Sequence, residues 1–156
     1  MPLPATLTAL QRLIAQGELS AQQAWSAQVQ RRACLDGRWH CLSEALDEPE
    51  AQAGPSGPLA GIGLAHKDNF DTWGRSPGCG AGPGRIDPGR PAAWAVEQLR
   101  RAGAGHLGAL VMAEQACGAT SANAHFARCI NPLHADAVVG GSSSGSAVAV
   151  AGGLAY

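Results

Sequence analysis

The chain has 156 residues, 11 Lys and Arg against 12 Asp and Glu, a formal charge of −1, and 46% hydrophobic residues of which few are aromatic. That length supports one ordinary domain with its own core, and a near-neutral chain without a basic run argues against nucleic acid as a partner. The N-terminus MPLPATLTALQRLIAQG has no basic n-region and no unbroken apolar stretch, so neither a secretory leader nor a membrane span is expected.

Leu7, Leu10, Leu13 and Ile14 recur at helical spacing, with Gly17 as the stop. Ser20 and Gln23 form a capping-box pattern for a second helix with Trp25 and Val29 on one side. A turn at Asp36-Gly37 and a short polar helix near Ser43 to Ala53 follow, and Gly54-Pro55-Ser56-Gly57-Pro58 reads as a linker. Residues 1–53 are thereby expected to be an N-terminal helical arm, with 54–58 as linker and a second unit from 59 to 156.

Beyond the linker, Leu59 to Ala65 (LAGIGLA) is a short apolar run read as a buried strand. A loop rich in Gly and Pro runs from Trp73 to Gly89. Pro91 opens a helix, AAWAVEQLRRAG, with a Glu97–Arg101 pair at i,i+4 and Gly103 at its end. His106 to Met112 reads as a second strand. The stretch to Phe126 is helix or loop, and Val138-Val139 leads into a serine turn with a helix from Ser146 to Leu154. Strand, helix, strand and turn-to-helix in that order imply an α/β layer arrangement with at least one parallel pair.

Five cysteines, an odd number without a CxxC, fit reduced thiols in a cytoplasmic protein better than a disulfide framework. Cys34, His40 and Cys41 match no standard zinc spacing and are read as packing residues, so no metal or other cofactor is expected.

Three literal motif matches compete for the chemistry. Gly103-Ala104-Gly105-His106-Leu107-Gly108 satisfies GxGxxG, yet a helix precedes it and a strand follows, the reverse of a dinucleotide fingerprint. It reads as a helix-ending turn. Gly141-Ser142-Ser143-Ser144-Gly145 satisfies GxSxG, but no Asp, Glu or His follows Ser143 to complete a Ser-acid-His triad. As a phosphate loop the same stretch lacks the Lys of a Walker A motif and is at most a generic anion nest.

Lys67 is the sole lysine and directly follows the apolar run GIGLAH. Lysines at strand ends ordinarily extend to water. A lysine held among glycines and apolar residues is instead pushed toward the neutral amine, which can take a proton from a hydroxyl. Serine–lysine pairing is an established alternative to Ser-His-Asp, and Ser142, Ser143 and Ser144 crowd one turn.

GPLAGIGLAHKDNFDTWG (Gly57 to Gly74) and VVGGSSSGSAVAVAGGLAY (Val138 to Tyr156), with RRAGAGHLGA, Met112, Glu114, Asn123 and Asn131-Pro132 between them, resemble the amidase signature family. The likeness drawn from these motifs covers Leu59 to Tyr156. It implies a mixed β-sheet flanked by helices and hydrolysis of a carboxamide C–N bond by a Ser-cisSer-Lys triad. By the same resemblance Lys67 is the family lysine and Ser142 the bridging serine. Gly140, Gly141, Ser143 and Ser144 support the turn, the two serines also being ordinary helix N-cap groups, and Gly118 and Asn123 fall toward a substrate pocket. Ala109-Leu110-Val111 departs from a Lys-Thr-Asn-like stretch usual in the family.

In that family the attacking serine lies well beyond the bridging serine, in a second Gly-rich motif that also supplies oxyanion-hole amides. Counted from Ser142, that position falls past Tyr156. The resemblance therefore implies the N-terminal portion of an amidase domain, truncated before the nucleophile motif and inactive alone, with a small-molecule amide as substrate once completed. An exposed sheet edge would favour self-association. The alternative is a non-catalytic remnant, or a module that keeps the Lys-Ser pocket to bind an anion or a partner.

Overall fold

The computed structural model of the chain describes residues 3–45 and 56–156. Helix α1 (Leu7–Ala15) starts at Thr6, whose Oγ1 accepts from Ala9 N at 3.2 Å, and stops at Gln16. Helix α2 (Ala21–Trp39) opens with the expected reciprocal box: Gln23 N donates to Ser20 Oγ (3.1 Å) and Ser20 N to Gln23 Oε1 (2.9 Å). The helix does not turn at Asp36-Gly37 but continues to Trp39, closed by His40 at φ 51. A glycine inside a helix costs about 1 kcal/mol relative to alanine. Leu35 and Trp39, packed on the core on either side of Gly37, offset that cost.

Residues 42–45 are a strand, β1 (Leu42–Ala45), and not the start of a polar helix. Its stability comes from pairing antiparallel with a strand more than sixty residues away, a partner no local pattern discloses. The rest of that expected helix, to Ala53, and the linker residues Gly54 and Pro55 lie outside the described residues.

Strand β2 (Gly63–Lys67) begins later than the apolar run suggests, because Ala60 N donates to Gly57 O (3.1 Å) and Ile62 N to Leu59 O (3.0 Å) in a turn that uses up the first residues. A short hairpin, β3 (Arg75–Ser76) and β4 (Arg85–Ile86), sits in the Gly- and Pro-rich loop. Helix α3 (Trp94–Arg101) ends in the GxGxxG turn at Gly103 (φ +100) and delivers the chain to β5 (Gly105–Leu110). The motif thus closes a helix, as its order in the sequence requires. Helix α4 is Ser144–Ala151.

The sheet order is β1-β5-β2, with β2 parallel to β5 from Gly63↔Gly105 to Lys67↔Leu110, and β1 antiparallel on the other side of β5. The fold is mixed α/β. On one face Leu107 packs with Trp25 of α2 and with Val148, Ala149 and Leu154 around α4. Full burial of each large aliphatic side chain here contributes about 2 kcal/mol. On the other face Val96 of α3 lies with Leu64, His66, His106 and Trp73. Helix α2 is also tied to the sheet by polar groups. Gln28 donates to Gly61 O (2.6 Å) and accepts from Gly63 N (2.8 Å), and Arg32 donates to Leu107 O (2.9 Å).

Candidate active site

Lys67 is the last residue of β2. Its carbonyl accepts from Asn69 N (2.7 Å) and Phe70 N (3.3 Å), a turn that ends the strand and leaves the side chain at the sheet's C-terminal rim. There Nζ donates to Ser142 Oγ at 2.7 Å. Two residues remote in sequence are thus brought together, and the Gly141–Ser142 peptide is cis.

The backbone around Ser142 is held from several sides. Ala113 N donates to Ser142 O (3.0 Å), and Gly145 N donates to Val111 O (2.8 Å), pinning the first turn of α4 to the exit of β5. Gly145 is required by close approach: a Cβ would lie 2.5 to 2.7 Å from Cys41 O, Val111 N and Val111 O. Ser143 occupies the N-cap of α4 without a side-chain capping bond. Ser144 is 1% exposed and its Oγ donates to Val111 O (3.4 Å). Ser142 is therefore the serine of the turn that meets Lys67.

Of the other expected site residues, Gly140 (φ +91) and Gly141 form the turn itself, and Gly118 abuts it: a Cβ on Gly141 would meet Gly118 O at 2.5 Å. Asn123 acts at a distance, donating from Nδ2 to Gly80 O and Met112 O, both 2.8 Å, while His125 N donates to its Oδ1 (2.7 Å). Among the described residues no group of three His, Cys, Asp or Glu side chains is placed to hold a metal ion.

Three titratable groups, His106 and Asp68 buried and His66 half-buried, carried no local signal of their surroundings in the sequence. His66 stacks on His106 at 4.1 Å between ring centroids, on the face of the sheet that α3 covers. Burial pushes His66 down to about 3, helped by His106, and His106 down to about 4, so both rings are neutral at neutral pH. Asp68, next to Lys67, is 3% exposed. Burial raises its carboxyl from the ordinary value, opposed by the backbone N–H groups of Gly78 and Gly80 and by Arg75. The alternation of β2 could have placed His66 opposite Lys67; Asp68 stands beyond the strand, and its surroundings come from loops distant in sequence.

Residues 19–156 match the amidase family, a wider span than the motifs alone mark out, and the chain belongs to that family. It is 39% identical over 162 residues to a glutamyl-tRNA(Gln) amidotransferase subunit of Ralstonia nicotianae, across 97% of this chain and 32% of that one. Among solved structures it is similar to the native peptide amidase of Stenotrophomonas maltophilia, with a TM-score of 0.82 and 32% identity over 99% of this chain and 36% of the other. It is similar also to a 6-aminohexanoate cyclic dimer hydrolase, with a TM-score of 0.83 and 26% identity over 99% and 33% of the two chains. The chain spans about a third of the length of these relatives. No helix among the described residues is long and apolar enough to cross a membrane.

Proposed function

We propose that this chain carries the base and proton relay of a carboxamide hydrolase, with Lys67 as base and Ser142 as relay. The observation that carries it is the 2.7 Å hydrogen bond between Lys67 Nζ and Ser142 Oγ at the rim of the sheet. Lys67, as the amine, takes the proton of Ser142 Oγ. Ser142 Oγ takes the proton of an attacking hydroxyl as that oxygen bonds to the amide carbon. When the C–N bond breaks, the same two groups return a proton to the departing amine. Water then attacks the resulting ester and gives a proton to the pair, and the pair passes it to the departing hydroxyl oxygen, so that the pair ends as it began.

The attacking hydroxyl and the donors that stabilise the oxyanion come, on this reading, from outside these 156 residues. Ser143 and Ser144 support the turn, Gly140 and Gly141 shape it, Gly118 borders it, and Asn123 holds the loops behind it. The substrate is a small carboxamide. A peptide amidase, a cyclic dimer hydrolase and an amidotransferase component stand among the relatives, which supports the C–N bond of an amide as the bond cleaved. The near-neutral charge and the absence of a basic run support a small molecule over nucleic acid, and the free cysteines fit a cytoplasmic setting.

Hydrolysis of small carboxamides by the isolated chain tests the division of labour. No turnover above buffer is expected, since base and relay without attacking group or oxyanion donors give little acceleration. Turnover that disappears in Lys67→Ala would place the attacking group within these residues and overturn the proposal.

A further inference from the structure

We propose that Asp68 is a positioning residue for the Lys67–Ser142 pair, acting through the turn Gly78–Gly80 as a strut that sets Ser142 against Lys67. Its role so defined depends on the pairing proposed above. Asp68 adjoins Lys67 in the chain, and its N–H donates to Leu110 O (3.1 Å), which fixes it in register with the end of β5. Its side chain and main chain grip the same turn: Oδ1 accepts from Gly78 N (3.1 Å) and the carbonyl accepts from Cys79 N (2.9 Å).

The turn in turn lies on the segment that leaves β5. Gly80 has φ +75, and a Cβ there would stand 2.9 Å from both Met112 O and Ala113 O. Gln115 N donates to Cys79 O (2.9 Å), and Asn123 Nδ2 bridges Gly80 O and Met112 O. From that segment Ala113 N donates to Ser142 O (3.0 Å). The contacts run from Asp68 through residues 78–80 and 112–115 to Ser142, and the Lys67–Ser142 hydrogen bond closes them into a ring. Asp68 is 3% exposed, and burying a carboxyl group is costly unless neighbouring donors hold it, as the backbone N–H groups of Gly78 and Gly80 do here. A surface loop anchor would not need that burial; a strut inside the rim does.

Because Lys67 is the sole lysine, acetylation by acetic anhydride reads one side chain, with the N-terminal amine separated by peptide mass. The experiment compares acetylation rates of Lys67 in the folded 156-residue chain and its variants, each checked for cooperative thermal unfolding. Ser142→Ala removes the acceptor and is expected to speed the reaction about fivefold. Asp68→Ala is expected to match it, and the double variant to be no faster than either. Asp68→Asn keeps an acceptor for Gly78 N–H and is expected to return to the wild-type rate.

A wild-type rate in folded Asp68→Ala, or effects that multiply in the double variant, overturns the role of Asp68 while leaving the pair intact. An unchanged rate in Ser142→Ala overturns the pairing itself and the role of Asp68 with it. If Asp68→Ala does not fold, Asn123→Ala cuts the same strut at Gly80 O and Met112 O. It is then expected to match Ser142→Ala, and a wild-type rate there overturns the strut.

Discussion

Lys67 Nζ and Ser142 Oγ lie 2.7 Å apart although 75 positions separate them in the chain. Each is placed by backbone. Lys67 is held by its register with Leu110 at the end of β2, and Ser142 by the Ala113 N–H and the docked first turn of α4. The pair therefore depends on how closely α4 approaches β5.

That approach makes Gly145 the most sensitive position of the turn. Gly145→Ala sets a methyl group within 2.7 Å of three backbone atoms, none of which belongs to a flexible side chain. The expected result is a loss of roughly 3 kcal/mol or more in urea-unfolding stability. Ser142→Ala, which removes only a half-buried hydrogen bond, is expected to cost about 1 kcal/mol.

The stacked histidines make the fold acid-labile. In the unfolded chain both rings bind protons below about pH 6.5, whereas in the folded chain His106 does so only near 4 and His66 near 3. Below pH 6.5 the unfolded state binds more protons, so stability falls with pH and levels off only below these folded values. Between about pH 7.5 and 5 the expected loss is roughly 2 kcal/mol per histidine, read from urea midpoints. His66→Phe, which keeps a ring against His106, is expected to flatten the slope by about half.

Thiol reactivity separates surface from core. Cys34 and Cys117 are exposed, whereas Cys41 and Cys129 are buried, and burial pushes the Cys41 thiol up to about 12 and raises Cys129. Cys129 Sγ also donates to His40 O (3.3 Å). In native protein, iodoacetamide is expected to label Cys34 and Cys117 first, and Cys41 and Cys129 only after denaturation. Fast native labelling of Cys41 would contradict the packing of β1 against the core.

The parts legible in the sequence are those decided locally or by a rare residue. The Ser20–Gln23 box, the apolar spacing of α1 and the end of α3 at Gly103 follow from short-range chemistry. Lys67 could be singled out because it is the sole lysine, and Ser142 because its turn is crowded with hydroxyls. What escaped depends on partners far along the chain. Cys41 to Ala45 becomes core and strand only because β5 lies beside it, and Gly37 stays helical because Leu35 and Trp39 pack on that core. The environment of Asp68 is built by Gly78 and Cys79, and the pairing of His66 with His106 needs the register of β2 on β5.

On the proposed mechanism, Lys67 and Ser142 move the proton in amide hydrolysis. The most direct measurement is kcat/KM for a peptide amide by a chimera in which this chain replaces the matching third of the Stenotrophomonas maltophilia peptide amidase. The chimera is expected to hydrolyse the amide. Lys67→Ala and Ser142→Ala are each expected to lower kcat/KM by roughly 10²–10⁴, with the double variant no worse than the weaker single one. Hydrolysis that persists at the chimera's full rate without Lys67 would contradict it.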